Sequence, residues 1–199
     1  MKTQNTICLH LLLLSVFLLS ACVTEEDPDP VSIASGVPCP EFTVTLADGS
    51  AVSTADLAGY TTLLIFFDTT CPDCRALLPV VQQVYESLGS PSLPGSLSTD
   101  APESDDLPIN AEVSGDPLHS GLVLAISRSQ AAAEVLDYWE ANALTIPVSP
   151  QPDRAVYDLF ANTIIPRVYI ISPSLTITHT YTDDPLPTAA ALLAAMGEK

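Results

Sequence analysis

The chain has 199 residues, with 24 Asp and Glu against six Lys and Arg, and a formal net charge of −18. Because no basic stripe is present that could neutralise phosphates, this composition argues against a nucleic-acid-binding protein. The length is sufficient for one domain with a hydrophobic core, and the five cysteines do not form the pattern of a disulfide scaffold.

The first 21 residues are predicted to be a secretory signal peptide. Lys2 precedes an apolar run, Leu9 to Leu19, that is short for a membrane-spanning helix. Leu19-Ser20-Ala21-Cys22 is similar to a bacterial lipobox, so Cys22 is expected to be acylated and to anchor the protein to a membrane. Residues 22–37 are predicted to form an acidic, solvated tether. We therefore expect the protein in the cell envelope, facing either the periplasm or the cell surface.

Residues 38–199 are predicted to form the folded domain. Its first elements are the two strands of a hairpin, a central strand buried on both faces and a long helix, at Phe42–Leu46, Ala51–Ser53, Thr61–Phe67 and Cys71–Leu88. Pro79 is expected to kink that helix. The following segment, 89–120, is rich in Ser, Pro, Gly and Asp, and is predicted to be an inserted loop.

The second half of the domain continues the alternation of strands and helices. The predicted elements are a core strand, a helix capped by Ser129, a short extended segment, a helix capped by Asp153, two strands and a final helix, at Leu122–Ile126, Ser129–Asn142, Thr145–Val148, Asp153–Phe160, Arg167–Ile171, Leu175–Tyr181 and Pro187–Met196. Strands that alternate with helices and then form a hairpin predict a three-layer α/β domain.

Cys71-Pro72-Asp73-Cys74 follows the central strand directly and opens the long helix. Free N–H groups and the helix dipole favour a thiolate at a helix N-terminus, so Cys71 is predicted to be a nucleophile. Cys74, one helical turn later, can resolve a mixed disulfide. A zinc site would need two more ligands at suitable spacing, and an inert structural disulfide is the other alternative. No metal site is predicted.

The segment Thr61 to Pro79, including the two cysteines, resembles the signature segment of TlpA-like and ResA-like thioredoxins, which are lipoproteins or membrane-tethered. Pro38-Cys39-Pro40-Glu41-Phe42 resembles the start of their N-terminal hairpin. The resemblance implies a thioredoxin-like α/β/α fold with a mixed sheet and an N-terminal β-hairpin extension. It also implies a thiol–disulfide oxidoreductase without a cofactor, whose partners are protein thiols and disulfides and an upstream redox donor.

Ile165-Pro166 occupies the place of a cis-proline that faces the two cysteines in proteins of this family. The resemblance implies that the Ile165–Pro166 bond is cis and that the Ile165 backbone can pair with an incoming peptide beside the reactive sulfur. Ile165 and Pro166 are therefore predicted to bind substrate.

The chain departs from the family at Thr70, where a tryptophan is common, and at Ile65, where thioredoxins carry a buried acid. Asp68 and Asp73 are the nearest carboxylates, and either could accept a proton. Their charges oppose a thiolate at Cys71, whereas two arginines, Arg75 and Arg167, favour one. This balance predicts an enzyme that leans toward reduction or isomerisation.

The sequence leaves two other functions as alternatives. A peroxiredoxin-like peroxidase would need a threonine three residues before its reactive cysteine, and Asp68 holds that place relative to Cys71. A binding module could retain the fold while its cysteine pair stays oxidised. Cys39 is either a third redox thiol or a small buried residue.

Overall fold

The computed structural model describes residues 32–94 and 121–197. The predicted signal peptide, Cys22, most of the tether and most of the predicted insertion lie outside the described residues. Neither described range contains a helix that is both long enough and apolar enough to cross a bilayer.

The described domain begins with the predicted hairpin. Strand β1 (Thr43–Thr45) pairs antiparallel with β2 (Ala51–Ser53), and Val44 lies opposite Val52. Asp48 accepts a hydrogen bond from the Ser50 backbone N–H at 2.8 Å, which closes the turn. Alternation directs Val44 and Val52 inward, so one side of the hairpin is buried.

Five further strands form a mixed sheet: β3, β4, β5, β6 and β7, at Thr61–Phe67, Gly121–Ser127, Val148–Ser149, Arg167–Ile171 and Ile177–Tyr181. The spatial order is β5-β4-β3-β6-β7. The central strand β3 runs parallel to β4 and antiparallel to β6. Because β3 is covered on both faces, its residues from Thr62 to Phe67 are all buried, as a continuous apolar run predicts.

Three α-helices pack on one face of this sheet. They are α1, α2 and α3, at Pro72–Ser87, Ala132–Ala141 and Ala189–Met196. Leu77, Leu78 and Val81 of α1 meet Leu63 and Ile65 of β3 in the core on this face. The helix continues through Pro79. These contacts hold the start of α1 at the carboxyl end of β3.

The opposite face of the sheet is covered by the hairpin and by the segment from Val156 to Ala161. The helix predicted after Asp153 is wrong, since only Tyr157–Leu159 forms a short 3₁₀ turn there. Asp153 accepts a hydrogen bond from the Ala155 N–H at 2.9 Å, but the turn starts only at Tyr157, after Val156 and without a side-chain cap. It ends at once because the Phe160 carbonyl accepts the Ile33 N–H at 2.9 Å and Ala161 forms a β-bridge with Ser32, so this part of the chain pairs with the N-terminal segment instead of continuing as a helix.

The predicted α/β architecture, with its mixed sheet and separate N-terminal hairpin, is confirmed. Ser129, however, does not cap a helix. Its hydroxyl lies 3.5 Å from the Pro152 carbonyl, and α2 starts after Ala131 without a side-chain cap. The three residues after β4 are therefore available for contacts with other parts of the molecule.

Candidate active site

The two cysteines of the CPDC segment lie at the junction of β3 and α1. Cys71 is the N-cap residue of α1, Pro72 occupies the first helical position, and the Cys71 carbonyl accepts a hydrogen bond from the Arg75 N–H at 3.1 Å. Proline suits this position because its fixed φ is helical and its missing N–H has no partner there. Cys71 is half-buried, and Cys71 and Cys74 are both free thiols.

Cys74 differs from Cys71 because it is fully buried in the core beneath the helix. Burial raises the pKa of the Cys74 thiol strongly; a backbone hydrogen bond from Asp68 opposes this rise, whereas Cys71 and the Asp68 charge add to it. Cys74 therefore stays protonated at neutral pH until a base takes its proton. The accessible Cys71 is the sulfur that a substrate meets first.

The Ile165–Pro166 loop lies beside Cys71, as the resemblance implied. The Ile165–Pro166 peptide bond is cis, and the Cys71 Sγ lies 3.7 Å from the Ile165 carbonyl oxygen. Pro166 is buried, while Ile165 is half-buried and contacts both halves of the core. The Ile165 backbone therefore borders the reactive sulfur.

The structure separates the two candidate carboxylates. The Asp68 side chain is only 14% exposed and lies 3.9 Å from the Arg128 guanidinium. Its Oδ1 accepts hydrogen bonds from the Thr70 backbone N–H at 2.8 Å and from the Thr70 hydroxyl at 2.7 Å. Asp73 is exposed on the first turn of α1. Asp68 is therefore the acid held in the loop before Cys71, and it is also the carboxylate that acts on the pKa of Cys74, which its charge raises.

The two predicted arginines lie in different environments. Arg75 is exposed, with its guanidinium carbon 6.0 Å from the centroid of the Tyr138 ring. Arg167 is buried on the hairpin face of the sheet, where it donates to the Ser32 hydroxyl at 2.6 Å and to the Thr163 carbonyl at 3.1 Å. Cys74 belongs to the core on the other face. We therefore assign the Arg167 charge to the hairpin face rather than to Cys71.

On that face, Arg167 acts on two buried tyrosines. Burial raises the pKa of Tyr157 and of Tyr169, and the Arg167 charge offsets part of each rise. The Tyr157 hydroxyl reaches the carbonyl oxygens of Thr163 and Ile164. Tyr157 and Arg167 thus hold the loop that carries Ile165 from the hairpin face of the sheet.

Sequence reasoning missed two polar residues that contact the redox loop, Arg128 and Gln130. Arg128 faces Asp68, and the Gln130 side chain makes two hydrogen bonds to Thr69. The available signal was the polar triplet Arg128-Ser129-Gln130 directly after a buried strand. Carboxyl ends of neighbouring parallel strands meet at the same edge of a sheet, and β4 is parallel to β3.

In residues 32–94 and 121–197, no three His, Cys, Asp or Glu side chains are grouped so that they could hold a metal ion.

Several solved structures resemble most of this chain. A proposed protein disulfide isomerase from Bacteroides thetaiotaomicron superposes with a TM-score of 0.62 at 18% identity, covering 83% of this chain and 87% of that one. A thiol:disulfide interchange protein of the thioredoxin family from Chlorobium tepidum gives a TM-score of 0.58 at 19% identity, with coverages of 84% and 97%. The chain has the thioredoxin fold.

A third structure with the thioredoxin fold is the exposed lipoprotein thioredoxin of Streptococcus pneumoniae. It superposes with a TM-score of 0.58 at 15% identity, covering 79% of this chain and 98% of that one. Neither a protein-family model nor a curated protein matches the sequence. The resemblance drawn from the sequence is thus confirmed at the level of the fold.

Cys39 is expected to react with alkylating agents far more slowly than Cys71. It is 8% exposed, and burial raises the pKa of its thiol to about 12. At pH 8 only about one Cys39 thiol in ten thousand is then ionised, and the thiolate is the reactive form. Brief treatment of the reduced protein with iodoacetamide, followed by peptide mass spectrometry, should find the label on Cys71.

The matched control is the same labelling in denaturant, where Cys39 and Cys71 should react at similar rates. If Cys39 of the folded protein were labelled as fast as Cys71, the hairpin entry would be open and the description of Cys39 as a buried, unreactive thiol would be wrong.

Proposed function

We propose that this protein is an exported, lipid-anchored thiol–disulfide oxidoreductase that reduces protein disulfides through Cys71 and Cys74. The observation that carries the proposal is the pairing of an accessible cysteine at the N-terminus of α1 with a buried cysteine one turn later. The solved thioredoxin-fold structures named above include a thiol:disulfide interchange protein, which supports the same chemistry.

The proposed reaction begins when the Cys71 thiolate attacks a sulfur of the substrate disulfide. A bond forms between Cys71 and that sulfur, the substrate S–S bond breaks, and the second substrate sulfur leaves as a thiolate. The Ile165 backbone borders the Cys71 sulfur, so an extended substrate segment can pair with it. Ile165 and Pro166 are therefore proposed as the substrate-binding residues.

In the second step Cys74 loses its proton and attacks Cys71. The Cys71–Cys74 disulfide forms, the mixed disulfide breaks, and the substrate leaves with two electrons more than it brought. We assign the proton acceptor to Asp68, since it is the carboxylate whose charge acts on Cys74. A dithiol donor outside the cytoplasm must then reduce the Cys71–Cys74 pair for another cycle.

The balance of charges near the pair supports the direction of reduction. The Asp68 charge acts on Cys74 and Asp73 lies on the first turn of α1, whereas Arg167 is directed away. Arg128 and Arg75 offset part of this negative charge. Negative charge opposes a thiolate, and a less stable reduced form makes the pair a stronger reductant.

The proposed location depends on the N-terminal sequence, in which Cys22 follows a signal-like segment. It is supported by the likeness to a pneumococcal thioredoxin that is itself an exposed lipoprotein. A lipid on Cys22 would hold the acidic domain beside the membrane without a charged contact surface.

A redox titration of the purified protein against glutathione and dithiothreitol tests this function. We expect a reversible two-electron couple in the thioredoxin range, roughly −270 mV, as suits a reductase. A midpoint nearer to roughly −120 mV would make the protein an oxidant. The controls Cys71→Ser and Cys74→Ser should show no such couple. A wild-type pair that does not cycle would favour a binding module.

A further inference from the structure

The polar segment after β4 holds the loop that leads to Cys71. The Arg128 N–H donates to the Phe67 carbonyl at 2.8 Å, which extends the pairing of β4 with β3 by one residue. Two residues later, the Gln130 Oε1 accepts from the Thr69 backbone N–H at 2.8 Å, and its Nε2 donates to the Thr69 hydroxyl at 2.9 Å. The Gln130 side chain thus binds both the backbone N–H and the hydroxyl of Thr69.

Gln130 is itself fixed in position. It is only 6% exposed, and its backbone N–H donates to the Gln151 carbonyl at 2.8 Å. The Gln151 backbone N–H in turn donates to the Ser127 hydroxyl at 2.7 Å. The Gln130 amide therefore binds Thr69 from a rigid support, so the position of Thr69 is tied to the sheet.

The neighbours of Thr69 in the loop carry the chemistry. The carbonyl oxygen of Asp68, the residue before Thr69, accepts a hydrogen bond from the Cys71 N–H at 3.1 Å. The Asp68 carboxylate accepts hydrogen bonds from the backbone N–H and the hydroxyl of Thr70. The other carboxylate oxygen faces Arg128 at 3.9 Å. A shift of Thr69 would therefore act first on Asp68, whereas Cys71 is also held as the N-cap residue of α1.

We propose that Gln130 is a positioning residue for the resolving step: through Thr69 it keeps the Asp68 carboxylate where it can accept the Cys74 proton. The inference rests on the proposed function and assigns a role to a residue that does not touch the substrate. Burial leaves Cys74 protonated at neutral pH, so its attack depends on a base held at the correct place. The first step, attack by Cys71, does not need that base.

The chain contains a matched control for this side chain. Gln82 of α1 is 9% exposed and binds both the Thr145 N–H, with its Oε1 at 2.9 Å, and the Thr145 hydroxyl, with its Nε2 at 2.8 Å. It also bonds to Glu86 and to the Ile146 N–H, so its removal is at least as large a structural change. It lies eight residues beyond Cys74, which is about 12 Å along a helix. Gln82→Met therefore removes an equivalent glutamine–threonine pair away from the redox site.

The test uses the purified, reduced full-length protein with Cys8→Ser and Cys22→Ser, so that neither N-terminal thiol reacts, and dithiobis(nitrobenzoate), a small aryl disulfide. Cys71 attacks it and releases one thionitrobenzoate, and Cys74 then attacks Cys71 and releases the second. Stopped-flow absorbance separates the two phases as a function of pH. This probe needs no protein substrate, so it reports on Cys74 whether or not a natural substrate is known.

We expect Gln130→Met to slow the second phase by at least about tenfold and to shift its pH profile toward higher pH, since a positioned base contributes ~10²–10⁴-fold. The first phase should stay within about threefold of the wild-type rate, because Cys71 keeps its helix N-terminus. Thr69→Val, which removes one of the two bonds, should give a smaller change of the same kind. Gln82→Met should leave both phases unchanged.

Equal second-phase rates and pH profiles for Gln130→Met and Gln82→Met would overturn the inference while leaving the proposed function intact. A wild-type protein that releases only one thionitrobenzoate would overturn both, since Cys74 would then not resolve the mixed disulfide. If Gln130→Met does not fold, Thr69→Val provides the test. A second phase in Thr69→Val with the rate and pH profile of the wild-type protein would also overturn the inference.

Discussion

The variant Cys74→Ser is expected to stop the reaction at the mixed disulfide. Cys71 remains accessible at the N-terminus of α1, so it still attacks, but serine cannot release the bound substrate. With insulin as substrate and dithiothreitol as electron source, turnover above the uncatalysed rate should be lost. In a separate incubation of the reduced variant with insulin and no dithiothreitol, which would cleave a mixed disulfide, a covalent adduct should appear on non-reducing gels and in the intact mass spectrum.

The controls separate the roles of the three described cysteines. Cys71→Ser should lose turnover and form no adduct, whereas Cys39→Ser should form none and cycle as the wild type does, since Cys39 is buried outside the redox site. An adduct through Cys74 in the Cys71→Ser variant would reverse the assignment of nucleophile and resolving thiol.

The variant Phe66→Ala is expected to lower the free energy of unfolding by about 3–5 kcal/mol, the usual cost of removing a buried phenylalanine. Phe66 is fully buried in β3, and its ring lies 5.5 Å from Tyr157, 5.0 Å from Phe160 and 6.2 Å from Tyr169, measured between centroids. The cavity would open at the centre of the aromatic cluster beneath the hairpin. Urea denaturation monitored by circular dichroism measures the loss.

Leu136→Ala is the matched control on the surface, since the Leu136 side chain is 40% exposed. Its free energy of unfolding should stay within about 0.5 kcal/mol of the wild type. If Phe66→Ala also changed stability by less than about 1 kcal/mol, the hairpin face would not be a close-packed part of the core.

The reactive pair could be predicted from sequence because the features that define it are local. A continuous apolar run predicted β3, and the observed strand Thr61–Phe67 matches it residue for residue. The three-residue spacing from Cys71 to Cys74 is one helical turn, and the observed helix starts directly after Cys71. Neighbouring residues along the chain determine these features, so no distant contact was needed to predict them.

The sequence left open whether Asp68 or Asp73 is the proton acceptor, and the tertiary structure was needed to distinguish them. Both residues lie within three positions of Cys71, and their difference arises only from the packing of β4 against β3. That packing places Arg128 opposite Asp68 and leaves Asp73 in solvent. A partner sixty residues away along the chain cannot be identified from spacing alone.

The environment of Arg167 shows the same dependence on the sheet. Because Arg167 follows Pro166 directly, its charge was expected near Cys71. In the pairing of β3 with β6, however, Arg167 lies opposite Phe66, and side chains alternate between the two faces of a strand. The guanidinium therefore lies with the tyrosines on the hairpin face.

The redox pair, the strands beside it and the type of fold follow from local sequence, because apolar periodicity and helix-terminus chemistry act over a few residues. The surroundings of the pair depend on long-range contacts: Gln130 binds Thr69, Arg128 lies beside Asp68, and Arg167 is turned to the far face. Those contacts join segments that only the pairing of β3 with β4 and β6 brings together.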